Sequence, residues 1–216
     1  MATTDNPSRE LILDRIRAGL RVPVAKPHEA SPPRPFFAPI ENPLKRFQQE
    51  CKANLMELML TADTAASAQQ LANLLGTLPA GEIFVQDHPS LHRLVEAAGV
   101  AREICWSSQG GPREASQATV TLAEALVAQT GSIFVSAACG GRGASVVAPC
   151  HIVYAKTDQL VPDLQTVLGS AKRSGVLANN SFACMISGSS RTADIEKILV
   201  QGAHGPIRLA VILERA

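Results

Sequence analysis

The residues of this sequence best suited to hold an anion lie between positions 186 and 206. Gly188 permits a tight turn with positive φ, and Ser190 or Thr192 can cap the helix that the pattern predicts next. Free backbone N–H groups at such a helix start attract anions. Arg191 could form a forked contact with a carboxylate or phosphate. The segment therefore fits a small-anion site.

The continuation of this segment fits a plain structural role equally well. Asp194 and Glu196 fall in the first turn of the predicted helix, where negative charge suits the helix dipole but weakens an anion site. Gly202 is a natural C-cap, and His204 follows it in a turn constrained by glycine and proline. His204 could orient a carboxylate or shuttle a proton, or it could simply lock the turn. The residues alone leave both interpretations open.

Two further segments carry hydroxyl or cationic groups. Thr130, Gly131 and Ser132 precede a predicted strand, where the two hydroxyls would line a pocket or belong to an ordinary turn. The Gly-rich segment, residues 139–143, is flexible and cationic but matches neither the dinucleotide fingerprint nor the P-loop. It is interpreted either as a mobile loop over a cleft or as a surface loop.

The cysteines and histidines predict no metal site. The five cysteines are widely spaced and form no Cys-x-x-Cys pair, so all are expected to be reduced, structural thiols. His151 follows Cys150, but no second pair of ligands is visible nearby. A packed or hydrogen-bonded His151 is therefore the favoured interpretation.

Composition excludes several classes of function. The 216 residues are 46% apolar and 18% charged, with a net charge of +1, one Trp and one Tyr. No basic stripe or aromatic platform suits nucleic acid. No apolar run reaches the roughly 18 residues of a membrane span, and the first ten residues resemble neither a signal nor a transit peptide. A cytoplasmic bacterial protein with no membrane span is the expectation.

The elements that must position these residues alternate from residue 67 onward. Strands are predicted at 82–85, 103–106, 132–136, 151–155, 182–187 and 208–213. Helices are predicted at 8–20, 46–60, 67–75, 90–98, 122–128, 162–172 and 193–200, with Ser90 as one N-cap. Such alternation predicts an α/β fold with a mostly parallel sheet in three αβα layers.

The predicted topology also indicates where a ligand would bind. In parallel sheets, ligands lie at the carboxyl ends of the strands. The loops after 83–85, 133–135, 152–154 and 183–186 are therefore expected to form the site.

Upstream, residues 23–43 hold seven of the fourteen prolines and form a predicted linker or strap. The predicted division is an N-terminal helical arm with this strap, 1–60, and an α/β domain, 61–216.

The stretch SGSSRTADIEKILVQGAHGP resembles the closing signature of the LUD domain, the lactate utilisation protein C family (LutC/YkgG). Family members typically read Ser-Gly-Pro-Ser-Arg-Thr-Ala-Asp-Ile-Glu, then a short helix, then Gly-x-His-Gly-Pro. The segments AEALVAQTGSIFV and APCHIVYAKTDQLVPDL also look like family segments. The resemblance covers roughly residues 45–215.

This resemblance implies a NagB/RpiA/CoA-transferase-like α/β domain with a role in oxidising L-lactate to pyruvate. It implies two partners, an iron–sulfur protein and a cysteine-rich-domain protein, so iron–sulfur clusters are expected on the partners and no cofactor on this chain. Arg191 would anchor a small carboxylate or phosphate, with hydroxyls from Ser190 and Thr192. Thr130 and Ser132 would face them, and His204 would orient the turn. No catalytic residue is assigned.

Two positions depart from the family pattern. Gln129 stands where the family usually has Glu, and a neutral amide cannot form the acyl intermediate of related CoA-transferases. Ser189 replaces a proline and loosens the turn before Arg191. Two other functions stay open, a stand-alone enzyme for a phosphorylated or CoA-linked molecule and a pure interaction module.

Overall fold

A computed structural model describes residues 7–22, 35, 37–112, 114–192, 200–201 and 205–216. The chain forms two compact units, Met1–Phe36 and Phe37–Ala216. The smaller unit contains one described helix, α1 (Pro7–Leu20), close to its predicted bounds. Most of the predicted proline-rich strap lies outside the described residues. The larger unit begins well before residue 61, where the sequence places the start of the α/β domain.

The larger unit alternates helices with strands. Its helices are α2 (Pro43–Ala53), α3 (Thr64–Gly76), α4 (Pro89–Ala97), α5 (Leu164–Arg173) and α6 (Val176–Asn179). Its strands are β1 (Glu57–Thr61), β2 (Ile83–Val85), β3 (Ile104–Trp106), β4 (Ala118–Leu122), β5 (Ala125–Val127), β6 (Ser132–Ser136), β7 (Cys150–Lys156), β8 (Leu160–Val161), β9 (Ala183–Ile186), β10 (Arg191–Thr192), β11 (Val200–Gln201) and β12 (Arg208–Glu214).

The large sheet is parallel throughout and confirms the predicted α/β class. Its strand order is β1-β12-β7-β4-β2-β3. One face packs against the leucines of α3 and α4. The other face packs against Phe47 and Cys51 of α2 and against Leu126 and Ile133 of a second sheet. Both faces are therefore buried, which explains the continuous apolar runs of the central strands.

The second sheet is absent from the sequence-based expectation. It has the order β8-β5-β6-β9, and the pairs β5–β6 and β6–β9 are antiparallel. Its inner face joins the core of the large sheet, and its outer face packs on Val167 and Ala171 of α5. This sheet adds a layer between the large sheet and α5.

Two of the helices predicted before residue 130 are partly or wholly strand. The helix predicted at 46–60 ends at Ala53, and Leu55 has φ +56, which breaks the helical path. The residues that follow form β1 because β12 offers a parallel partner. The helix predicted at 122–128 is instead the end of β4 and all of β5. Periodicity fails there because both faces of these strands are buried.

The helix caps show smaller corrections. The sequence predicts Ser90 as the cap of α4, but the Nδ1 atom of His88 accepts the Ser90 N–H at 3.2 Å, so His88 is the cap. Helix α5 begins after Asp163, whose side chain accepts the Thr166 N–H at 2.7 Å. Across the described residues, no helix is both long and apolar enough to traverse a bilayer.

Candidate functional site

The second sheet changes where the predicted site can form. Strands β6 and β9 are antiparallel, with Ile133 opposite Ile186 and Ser136 opposite Ala183. Their carboxyl ends therefore point in opposite directions, and the loops after 133–135 and 183–186 do not meet, contrary to the prediction from parallel strands. The start of β6 instead lies beside the end of β9. This pairing brings Ser132 next to Ser187.

A chain of hydroxyl groups joins the two strand ends. Thr130 Oγ1 lies 2.6 Å from Ser132 Oγ, which lies 2.6 Å from Ser187 Oγ. Ser132 is 2% exposed, whereas Ser187 is exposed. The Asn54 side-chain amide donates to the Thr130 carbonyl at 2.9 Å and ties the chain to the end of α2. We call Asn54, Thr130, Ser132, Ser187 and Arg191 the hydroxyl–arginine cluster.

Arg191 binds the carboxyl end of α2. Its Nη2 atom donates to the carbonyl oxygen of Asn54, the C-cap residue of that helix. A cation there suits the helix dipole. A guanidinium carries five N–H donors in a planar fork, and among the described residues the Arg191 side chain bonds Asn54 alone, which leaves donors for a carboxylate. Arg191 therefore holds the loop and can also serve as an anion anchor.

Gly188 packs against the same helix end. It has φ +92, as its predicted tight turn requires, and its N–H donates to Met56 Sδ at 3.2 Å. A Cβ atom at Gly188 would lie 2.5 Å from the Asn54 carbonyl oxygen and 2.7 Å from Arg191 Nη2. The glycine is thus required by the Arg191–Asn54 contact as well as by its backbone conformation.

Replacing Gly188 with alanine is expected to lower the free energy of unfolding by roughly 3 kcal/mol, because positive φ strain and a clash with backbone combine. Gly99 is the matched control, since it has φ +59 and a Cβ added there would meet nothing within 4 Å. Gly99→Ala should lose only the conformational part, about 1 kcal/mol. Urea unfolding of both variants measures the difference. Equal losses of unfolding free energy in the two variants would show that the surroundings of Gly188 can accommodate a methyl group.

The two ends of the predicted signature meet in space. The Ser190 N–H donates to the Pro206 carbonyl at 2.8 Å, and Gly205 lies against the Ser190 side chain. Ser189 is buried at this junction. Arg191 and Thr192 form β10, which pairs antiparallel with β11. This short ribbon includes Val200, which the sequence assigns to a helix.

Several predicted site residues cannot be placed. Residues 193–199, which cover the predicted helix and Asp194, lie outside the described residues, and so do Gly202 and His204. The backbone of Thr192 is described as strand, but its side chain is outside the description. The structure therefore brings together Thr130, Gly131, Ser132, Gly188, Ser190 and Arg191.

Gln129 has a structural contact away from the hydroxyl chain. Its Oε1 atom accepts the backbone N–H of Leu164, the first residue of α5, at 3.3 Å. Its backbone carbonyl accepts from Arg46 at 3.3 Å. Two residues further on, Gly131 has φ +62, and a Cβ there would lie 2.7 Å from Glu50 Cβ. The β5–β6 turn is therefore packed directly on α2.

Sequence reasoning misses Asn54 and Met56 as members of the site. Both belong to the turn that ends α2, a region predicted to be uninterrupted helix. Ser187 lies inside the signature but is not singled out by it, because its importance depends on antiparallel pairing of β9 with β6.

The cluster offers hydroxyl and guanidinium groups that can bind a small acid. Within the described residues, neither Ser132 nor Ser187 has a hydrogen bond to a histidine or a carboxylate that could act as its base. Burial raises the pKa of the Cys51 thiol to about 12 and the pKa values of Cys139 and Cys150 to about 11, so these thiols stay protonated. Hydroxyls and one guanidinium match a small carboxylate or hydroxy acid.

The Gly-rich segment is fixed to the domain surface by Arg142. The Arg142 Nη2 atom donates to the Ser181 carbonyl at 2.7 Å, and its guanidinium lies 5.6 Å from the centre of the Phe182 ring. Ala144, just beyond this segment, packs in a buried cluster with Phe84 and Cys105. These contacts place the segment and its continuation against β2.

A second polar cluster lies at the carboxyl edge of the large sheet. Glu214 is 4% exposed, and its carboxylate accepts hydrogen bonds from Tyr154 at 2.5 Å, Ser67 at 3.1 Å and Thr64 at 3.3 Å. Lys156 Nζ lies 3.3 Å away. Burial raises the pKa of Glu214, but these contacts together bring its pKa below the ordinary value. Its partners in the protein thus hold Glu214 ionised.

His151 is a packed histidine, as the sequence favours. Its Nε2 atom lies 2.9 Å from Thr121 Oγ1 in the interior of the large sheet. Burial lowers the pKa of His151 to about 4, so the ring is neutral at pH 7. Within the described residues, no group of three or more His, Cys, Asp or Glu side chains is placed to hold a metal ion.

The fold defines a class of α/β domain in which a second, small mixed sheet packs on one face of a parallel sheet. A solved structure of a DUF162 family protein from Deinococcus radiodurans shares it, with a TM-score of 0.61 over 80% of this chain and 96% of that chain at 19% identity. The LUD domain family model matches residues 44–213. The chain therefore belongs to the LUD domain family.

Curated relatives carry the name Lactate utilization protein C. The protein from Halalkalibacterium halodurans is 30% identical over 135 residues, which is 61% of this chain and 52% of that protein. The protein from Exiguobacterium sp. is 36% identical over 98 residues, 44% of this chain and 42% of that protein. The Bacillus subtilis protein is 29% identical over 126 residues, 50% of this chain and 52% of that protein. The chain spans about half the length of these relatives.

Proposed function

We propose that this chain is an accessory subunit of an L-lactate utilisation system that oxidises L-lactate to pyruvate. The observation that carries the proposal is membership of the LUD domain family together with relatives named Lactate utilization protein C. In this proposal, the oxidation requires an electron acceptor, which iron–sulfur and cysteine-rich-domain partner proteins supply.

The hydroxyl–arginine cluster is the proposed ligand site of this subunit. Arg191 would bind the carboxylate of a small acid, and the exposed Ser187 would bond its hydroxyl or second oxygen. Asn54 and Ser132 would position other residues and would not bind the acid themselves. Asn54 fixes the Thr130 turn, and Ser132 orients Ser187. The contact between Arg191 and Asn54 makes the anchor rigid, and a preformed anchor lowers the entropy lost on binding.

Growth on L-lactate tests the proposal directly. Deleting the gene should abolish growth on L-lactate and leave growth on pyruvate intact, because only the oxidation step is missing. The wild-type gene and an Arg142→Ala gene should restore growth, whereas Arg191→Ala should not. Arg142 is a matched control because it also donates to a backbone carbonyl, at 2.7 Å from Ser181.

Titration calorimetry with L-lactate and inorganic phosphate should show at least a roughly tenfold weaker Kd for Arg191→Ala.

Each arm can contradict a different part of the proposal. Normal growth of the deletion strain on L-lactate would refute the pathway. Restored growth with Arg191→Ala would refute the role of the cluster while leaving the pathway intact. If Arg191→Ala fails to accumulate or unfolds at a much lower temperature, Arg191 serves the fold. Arg191→Lys, which keeps the charge, would then show whether a cation alone suffices.

A further inference from the structure

A cavity of about 400 Å³ is lined by residues of the second sheet and of helices α5 and α6. Its apolar lining includes the Phe134 ring of β6 and the side chains of Val167 and Ala171 on α5. Its polar lining includes the carboxylates of Glu124 and Asp158. A cavity of this volume, with a mostly apolar lining and a few polar groups, is typical of sites that hold small molecules.

The Glu124 carboxylate is fixed in this cavity through one of its oxygens. Ser136, which is 1% exposed, donates its hydroxyl to Glu124 Oε1 at 2.5 Å and accepts the Ala138 N–H at 3.1 Å. The Cys139 Sγ atom lies 3.7 Å from the same carboxylate oxygen. Burial raises the pKa of the Cys139 thiol to about 11, so both side chains beside Glu124 are neutral. The carboxylate is therefore oriented by groups that carry no positive charge.

Glu124 differs in this respect from other partly buried carboxylates of the larger unit. Arg46 lies 2.8 Å from Glu50, and Lys156 lies 3.3 Å from Glu214. Glu124 is half-buried, yet among the described residues no Lys, Arg or His pairs with it. A partly buried charge without a countercharge is costly. A positively charged ligand in the cavity would supply the countercharge that this part of the chain does not.

A second carboxylate is held in the same cavity by the amide of Gln159. Gln159 Nε2 donates to the Ala123 carbonyl at 2.7 Å, and Gln159 Oε1 accepts the Lys156 N–H at 2.8 Å. Because Ala123 precedes Glu124 and Asp158 precedes Gln159, these bonds hold the turn that carries Asp158 beside Glu124. Among the described residues that line the cavity, none is Lys, Arg or His, so the lining is negatively charged.

We propose that this cavity binds a small aliphatic amine in its protonated form. The ammonium group donates to the Glu124 carboxylate, and the alkyl chain contacts the apolar lining that includes Val167 and Ala171. The ring of Phe134 favours a cation as well. An inorganic cation gains nothing from the apolar lining, and within the described residues no group of three His, Cys, Asp or Glu side chains is placed to hold a metal ion.

The amine site is separate from the hydroxyl–arginine cluster. Ser132 of that cluster begins β6, whereas Ser136, which orients Glu124, ends the same strand. The strand between them spans roughly 13 Å. The two sites also favour opposite charges, because the cluster offers Arg191 and the cavity offers two carboxylates. The amine site therefore does not depend on the function proposed for the cluster.

Titration calorimetry of the full chain with n-butylamine at pH 7 tests the proposal. The expected Kd is about 1 mM or lower, and 1-butanol, which has the same chain and no charge, should bind at least roughly tenfold more weakly. Glu124→Gln keeps the shape of the side chain and an acceptor for Ser136, and it should weaken n-butylamine binding at least roughly tenfold. Glu96→Gln, an exposed position on α4, is the matched control and should leave the Kd unchanged.

Several results would overturn the proposal. They are equal Kd values for n-butylamine and 1-butanol, an unchanged Kd in Glu124→Gln, and equally effective competition by magnesium chloride. Amide chemical shifts should change on addition of n-butylamine at residues that line the cavity, such as Ala125 and Ala171, and changes confined to other regions would also overturn it. If Glu124→Gln does not fold, Asp158→Asn at an exposed position replaces it, and unchanged binding in that variant would overturn the proposal equally.

Discussion

Replacing Glu214 with alanine is expected to lower the free energy of unfolding by about 3 kcal/mol. The variant removes a buried carboxylate and leaves the hydroxyl of Tyr154, which is 3% exposed, without its 2.5 Å partner. Ser67 is less affected because it keeps its bonds to Thr61 and to the Asp63 carbonyl. Urea or guanidinium unfolding followed by circular dichroism measures the loss.

Two further variants separate the cause of this loss. Glu96 is exposed on α4, and Glu96→Ala should change stability by less than about 0.5 kcal/mol. Tyr154→Phe should destabilise the wild type and should cost less in the Glu214→Ala background, because the carboxylate partner of the hydroxyl is already absent there. A loss below about 1 kcal/mol for Glu214→Ala would show that water replaces its partners.

Lowering the pH from 6.5 to 4 is expected to destabilise the protein by about 3 kcal/mol through His151 alone, given a folded-state pKa of about 4 and an ordinary pKa of 6.5. In this window the unfolded chain binds a proton at His151 while the folded chain does not. Stability from this group is therefore complete above pH 6.5 and is lost progressively as the pH falls to the folded pKa. Urea unfolding at half-unit pH intervals measures the slope.

The histidine variants distinguish this origin from other acid effects. His151→Gln should flatten the slope between about pH 6.5 and 4.5, even if it lowers stability throughout. His92 is exposed, and His92→Gln should leave the His151 contribution unchanged. Glu214 acts in a lower range, because the contacts that depress its pKa are lost only when the pH falls through that depressed value. An unchanged slope in His151→Gln would refute the assignment.

The fold class could be predicted because local signals agree with tertiary packing over most of the larger unit. Helix α3 is capped by Asp63, and α4 ends before Gly99, whose φ of +59 stops the helix. Prediction fails at 57–61 and 122–128, where strand identity depends on partners far along the chain. The sequence of Glu57–Thr61 has a helical pattern. The segment is a strand because it pairs with β12, which lies about 150 residues further along the chain.

Three of the predicted site residues are close together in the structure, but the geometry that brings them together could not be predicted. Thr130, Ser132 and Arg191 do lie near one another. The reason is antiparallel pairing of β6 with β9, which the rule of parallel strand ends does not contain. The role of Asn54 depends on the residue at which α2 ends. Its backbone carbonyl accepts the hydrogen bond from Arg191, and every residue type has such a carbonyl, so the sequence does not indicate this contact.

The position of β12 has a consequence for how the chain is made. This strand lies between β1 and β7 and pairs with both along its whole length or most of it. During synthesis, β1 leaves the ribosome about 150 residues before β12. It therefore has no parallel partner while most of the domain is being synthesised. Pairing over such a separation also slows folding. The nascent chain is therefore exposed to misassociation until residues 208–214 emerge, and these few residues decide when the sheet closes.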